Sequence, residues 1–94
     1  EAPLIDAGLE SHPAVRAAVA FMLEDADGNV VVGAAIDRKP GPAAPGLDEI
    51  AAWVRRQMHI TVAMRLFEAP GLTRDDMGKI NRDAVRMRVV GRHG

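Results

Sequence analysis

One lysine in this chain stands where a charge could do chemistry. Lys79 follows Gly78 and precedes Ile80 and Asn81, inside the stretch Leu-Thr-Arg-Asp-Asp-Met-Gly-Lys-Ile-Asn-Arg at 72–82. A lysine is a compact point charge on a flexible stem, suited to meeting an anion that a mobile loop brings near. A glycine before it lets the backbone bend and approach closely. The stretch is not a phosphate-cradling P-loop, which needs Gly-x4-Gly-Lys and then Ser or Thr. Here Gly71 lies seven positions before Gly78, and Ile80 follows the lysine. On spacing alone Lys79 reads as a solvated surface lysine beside Arg74 and Arg82.

The other reactive residue types form no set. His12, His59 and His93 have no mutual metal-ligand spacing and no cysteine partner. They read as a helix-end residue, a loop or interface residue and a tail residue. Asp75 and Asp76 are adjacent and diverge in most conformations, as solvated loop charges do. No Ser-His-Asp or Cys-His arrangement can be assembled. The Asp-Ala-Asp-Gly-Asn run at 25–29 invites a calcium reading, but placing Gly28 at loop position six puts Leu23 and Ala34 at positions one and twelve, where acids are required. It is a hairpin turn, with positive φ at Gly28 and local bonds from the aspartates.

The elements that must position Lys79 follow from periodicity. Pro3 suits the first turn of a helix carrying Leu4, Ile5, Gly8, Leu9 and His12 at helical spacing, which Pro13 ends. Val15, Ala17, Val19, Phe21 and Leu23 alternate as a half-buried strand. Val30, Val32, Ala34 and Ile36 continue as a second, completing a hairpin. Residues 38–46, with three prolines and two glycines, are a loop. Leu47, Ile50, Ala51, Val54 and Met58 mark one face of an amphipathic helix, with Asp48 and Glu49 in its first turn and Arg55 and Arg56 near its end. Trp53 lies off that stripe and is expected against a neighbouring element. Residues 60–67 read as a third strand of uncertain start. Asn81 caps a short last helix through Val85, and 91–94 should fray. The order α-β-β-α-β-loop-α predicts an α+β fold, with a sheet of about three strands and helices packed on it.

Composition bounds the function. Ninety-four residues with 48% apolar and 27% charged side chains make one small globular domain, 1–94. Net charge is −1, but residues 1–47 carry seven acids and three bases, whereas residues 48–94 carry six acids and nine bases. The basic half holds Lys79, which suits an anionic ligand. Three aromatics, none interleaved with the bases, argue against a nucleic-acid surface. No run approaches the roughly 18–20 apolar residues of a membrane span. The absence of cysteine fits a reducing compartment, so a cytoplasmic location is expected. A chain that opens at Glu1 reads as a piece of a longer one.

The stretch at 72–82 resembles the last core motif of the adenylate-forming enzymes, the superfamily of acyl- and aryl-CoA synthetases, luciferases and the adenylation domains of nonribosomal peptide synthetases. Its usual form is Leu-Pro-Arg-Asn-x-x-Gly-Lys, then an apolar, a small polar and a basic residue. Arg74, Gly78, Lys79, Ile80 and Arg82 match it, and Met77 is common in CoA-synthetase members. Upstream, the stretch from Ile5 to Val15 resembles the family's helix ending in His-Pro-x-Val. The hairpin, the Pro/Gly loop and the Leu-Asp-Glu-Ile helix follow in the family's order. The resemblance thus covers nearly the whole chain, as the small C-terminal subdomain. Thr73 stands where proline is usual, Ile60 and Ala63 where Tyr-x-x-Pro is usual, and Met58 at another common proline. These departures touch the approach to the third strand and the loop's shape.

The resemblance implies an ATP-dependent carboxylate-activating ligase, with Lys79 catalytic in acyl-AMP formation and Gly78 lining the ATP site. It implies ATP and Mg2+ in the full-length enzyme, CoA or a pantetheine carrier protein as acceptor, and a large N-terminal adenylation domain as partner. The isolated chain is then expected to be inactive, to hold no cofactor and no metal, and to act as the lid that moves for thioester formation. The competing expectation is a free-standing interaction module of the same fold that binds a protein or carrier partner without catalysis.

Overall fold

The computed structural model describes residues 2–41, 45–73 and 80–93. Its frame is the hairpin. Strands β1 (Val15–Glu24) and β2 (Val30–Arg38) pair antiparallel from Val15 opposite Arg38 to Glu24 opposite Val30. The turn closes as the residue types demand. Asp25 Oδ1 accepts the amides of Asp27 and Asn29, each at 2.9 Å, and Gly28 takes φ +82°. Helix α2 (Leu47–Met58) then carries the chain over the sheet to β3 (Met64–Glu68), which pairs parallel to β2 from Val32/Met64 to Ile36/Glu68. The sheet is mixed, in the order β1-β2-β3. Helices α1 (Ala2–Glu10) and α3 (Arg82–His93) complete an α+β fold in the order α-β-β-α-β-α.

Both faces of the sheet are covered, where the alternation predicted strands buried on one side. Leu9 of α1 and Ile50, Ala51 and Val54 of α2 pack on Ala18, Ala20, Ala34, Ile36 and Leu66. Small alanines on that face let two helices sit close to the backbone. On the other face, Val19, Phe21, Ala35 and Phe67 pack with Ala69, Leu72 and Val89 of α3. The expected stripe of Val15, Ala17, Val19, Phe21 and Leu23 is therefore split. A register shift between Val15 and Ala17 leaves Val15 in the first cluster, whereas Ala17, Val19, Phe21 and Leu23 belong to the second. An extra residue in one strand reverses the side on which every earlier side chain lies.

Two element boundaries and one buried stripe differ from the expectations. The third strand starts at Met64 rather than near Ile60, because α2 ends in a tight cap: His59 adopts φ 56° and the Ile60 amide donates to the Arg55 carbonyl at 2.9 Å. The last helix runs on through the stretch expected to fray, to His93. Val89 is buried on the sheet, with Val85 and Val90 packed beside it, and this overrides Gly91 as a stop signal. In α1 the buried stripe holds Leu9 and Asp6, whereas Leu4 is 63% exposed.

Candidate functional site

Lys79 and Gly78 lie outside the described residues, as do Arg74, Asp75 and Asp76. What the structure places is both shoulders of the segment that contains them. Before it, the chain leaves β3 with the Ala69 amide bonded to the Ile36 carbonyl at 2.7 Å. It turns at Gly71, whose φ of +78° favours glycine. It then buries Leu72 in the second core cluster. After it, Ile80 packs on the same cluster, and Asn81 caps α3 by accepting the Ala84 amide on Oδ1 at 3.0 Å. The expected cap is therefore in place.

Two carboxylates fasten these shoulders, and among the described residues they are the two buried charged side chains: Asp6 at 4% and Asp37 at 8% exposure. Asp6 sits on α1 beside the outer edge of β1. Its Oδ1 accepts the Ala20 amide at 2.6 Å and Arg82 Nη1 at 2.9 Å, and its Oδ2 accepts Arg82 Nη2 at 2.8 Å. The guanidinium also donates to the Ala20 carbonyl at 3.1 Å. One turn on, Glu10 Oε2 accepts the Ala18 amide at 3.1 Å. Side chains of α1 thus occupy backbone groups that an edge strand otherwise leaves open. Asp37, near the end of β2, accepts the Gly71 amide on Oδ2 at 3.1 Å and pairs with Arg16 at the β1 irregularity.

Arg82 was read from sequence as a neighbour of a solvated lysine and as part of the motif. Its fork is committed to Asp6 and Ala20, which places it in the support of the segment. Neither aspartate was singled out from sequence. The available signals were an acid one turn before Leu9 on the buried stripe, and an acid following the apolar run of β2.

The remaining candidates stay apart from this region. His12 is half-buried, accepts the Ala14 amide on Nδ1 at 2.9 Å and meets Trp53 edge-on, with centroids 4.8 Å apart. That accounts for both the helix-end histidine and the off-stripe tryptophan. His59 is exposed at the end of α2, and the side chain of His93 is outside the described set. Among the described residues, no three His, Asp or Glu side chains gather as a metal site. Also among the described residues, no helix is long and apolar enough to cross a membrane.

Comparison with known proteins gives a consistent assignment. No family model matches the chain. A curated relative from Mycobacterium tuberculosis, named a probable 2-succinylbenzoate–CoA ligase, is 36% identical over 88 residues; these are 93% of this chain and 23% of the relative. The amide bond synthetase McbA from Marinactinospora thermotolerans superposes with a TM-score of 0.73 at 27% identity, covering 93% of this chain and 18% of that one. An acyl-CoA synthetase from Brucella canis shares the fold, with a TM-score of 0.71 at 23% identity over 96% of this chain and 17% of its own. The chain thus spans less than a quarter of the length of each. In sequence and in fold, the chain is similar to a small part, under a quarter, of enzymes of the adenylate-forming superfamily.

Proposed function

We propose that this chain is the lid of an ATP-dependent carboxylate-activating ligase of the acyl-CoA synthetase kind, and that Lys79 promotes acyl-AMP formation. A large N-terminal domain of the same protein supplies the rest of the cleft. The reading is carried by one conjunction. The segment with Gly78 and Lys79 springs from shoulders seated in the core, in a chain similar over 88 residues to a named CoA ligase.

In the first half-reaction a carboxylate oxygen attacks the α-phosphorus of ATP, a P–O bond forms, and the bond to pyrophosphate breaks. Two anions must meet, and negative charge shifts as they do. A cation at that point stabilises the transition state more than the separated reactants, which is what accelerates the step. Lys79 is that cation, and Gly78 gives its backbone room to approach the nucleotide. In the second half-reaction the acyl group passes to the thiol of CoA or of a pantetheine carrier, and AMP leaves. Pyrophosphate and a thiol cannot occupy one cleft together, so the lid withdraws Lys79 between the steps. No step is assigned to Mg2+ on this chain.

The test uses the full-length protein with ATP and a panel of aryl and fatty carboxylic acids that includes 2-succinylbenzoate. Lys79→Ala lowers pyrophosphate release by about 100-fold or more, yet it leaves transfer from a preformed acyl-adenylate to CoA intact. The isolated 94-residue chain, the control, forms no adenylate. Normal adenylation by the variant, or failure to activate any acid by the parent, refutes the proposal.

A further inference from the structure

We infer that Asp6 and Asp37 are positioning residues for Lys79, holding the two ends of its loop against the β1–β2 hairpin. The inference rests on the reading of Lys79 given above and adds the device that aims it. Arg82, the residue Asp6 grips in a two-pronged pair, comes three positions after Lys79; Gly71, whose amide Asp37 holds, comes eight before it. The partners of the first bond are 76 residues apart in sequence and those of the second 34, so both bonds join distant parts of the chain.

Buried ion pairs are an inefficient route to stability, because the desolvation cost offsets most of the Coulomb gain and apolar replacements often do as well. What such pairs supply is a fixed geometry, since a charge-assisted fork tolerates few arrangements. Here both fix the same object. Asp6 ties Arg82 to the Ala20 peptide on the outer edge of β1, and Asp37 ties Gly71 to the end of β2. Leu72 and Ile80 seat the same two shoulders by packing. Packing alone permits sliding, whereas the hydrogen bonds set register. A lysine that must meet a phosphorus centre gains from this, because a misplacement of about 1 Å can cost about 100-fold in rate. Asp6 acts closer to Lys79 along the chain and has the larger effect.

The experiment is a double-mutant cycle in the full-length protein, with the acid of the panel that turns over fastest. Asp6→Asn keeps the side chain's shape and an acceptor for Ala20 but removes the ion pair. It lowers first-turnover pyrophosphate release by about 10- to 100-fold, and transfer from preformed acyl-adenylate stays within about twofold. In the Lys79→Ala background the same change has no further effect on adenylation, because a residue that acts through the lysine has nothing left to act on. Asp37→Asn follows the same pattern with a smaller loss. Arg82→Lys, which keeps the charge and loses the fork, serves as the second variant should Asp6→Asn not fold. Hydrogen exchange supplies a readout without turnover: residues 69–82 exchange faster in Asp6→Asn, and α2 does not. Equal losses in both half-reactions, additive losses with Lys79→Ala, or no loss at all overturns the inference. If Lys79→Ala itself leaves adenylation intact, the catalytic reading fails, and the exchange data still decide whether the aspartates hold the loop.

Discussion

Replacing Arg82 with methionine isolates what the Asp6 pair contributes to stability. The stem is roughly conserved in volume, so packing beside β1 is retained, whereas three donations are lost: two to Asp6 and one to the Ala20 carbonyl. Removing one partner of a fully buried pair costs about 3–5 kcal/mol, because the other charge stays uncompensated. The pair here is asymmetric. The Asp6 side chain is 5% exposed and that of Arg82 30%, so water can reach part of the space the guanidinium vacates. Asp6 also keeps the Ala20 amide as a donor. The expected loss is therefore at the lower end, about 2–3 kcal/mol. Adding Asp6→Ala to Arg82→Met costs little more, because the orphaned charge leaves with it, and the cycle returns a coupling of about 1–2 kcal/mol. Urea unfolding followed by the fluorescence of Trp53, the single tryptophan, measures this. Trp53 lies on α2 against His12, so it reports the global transition and not the site of the change. With a slope of about 1–2 kcal/mol/M for a domain of this size, the midpoint falls by about 1–3 M. A midpoint unchanged within about 0.3 M, or a double variant that loses the plain sum of its parts, would refute the reasoning.

Two further predictions concern the same framework. Gly33→Ala lowers stability by about 1–3 kcal/mol in the same assay, despite the usual benefit of replacing a strand glycine. The new Cβ would lie 2.6 Å from Phe21 Cε1 and 2.7 Å from Leu23 Cδ1, and Phe21 is fixed by its stack on Phe67; an unchanged or raised midpoint would show that Phe21 can move aside. Asn81→Ala costs about 1 kcal/mol by removing the cap bond to Ala84, whereas Asn81→Asp, which keeps an acceptor there, costs less than half of that.

The fold was legible where local chemistry decides. The Asp25 turn, the α2 stripe with its terminal charges and the Asn81 cap each depend on residues within a few positions, and each formed as its residue types require. What could not be read was set across the sheet. An alternating strand looks the same whether its second face meets water or alanine-spaced helices, so the burial of Ala18 and Ala20 was not visible. The irregularity at Arg16 leaves no mark in composition, yet it decides which side Val15 faces. Gly8 was read as one of the residues at helical spacing in α1, but a side chain there would meet Met58 of α2, so the glycine permits close contact between the helices.

The proposed site was read as a motif and not as a structure, for a related reason. Gly78 and Lys79 carry their meaning in adjacent letters, whereas Asp6, Asp37 and Arg82 carry theirs in contacts that span the chain. An acid on a helix is ordinarily a solvated charge, and only the tertiary fold turns Asp6 inward. Once it is inward, its choices are narrow. A buried carboxylate needs donors, and the outer edge of β1 offers the Ala20 amide, while the segment entering α3 offers a guanidinium. The same bond set therefore closes an exposed strand edge, neutralises a buried charge and fixes the start of the helix that follows Lys79. Because one set of contacts meets all three demands, a change at Asp6 cannot alter the aim of the loop without also loosening the edge of the sheet. This is why the hydrogen exchange of β1, together with that of 69–82, should rise in Asp6→Asn while α2 stays protected.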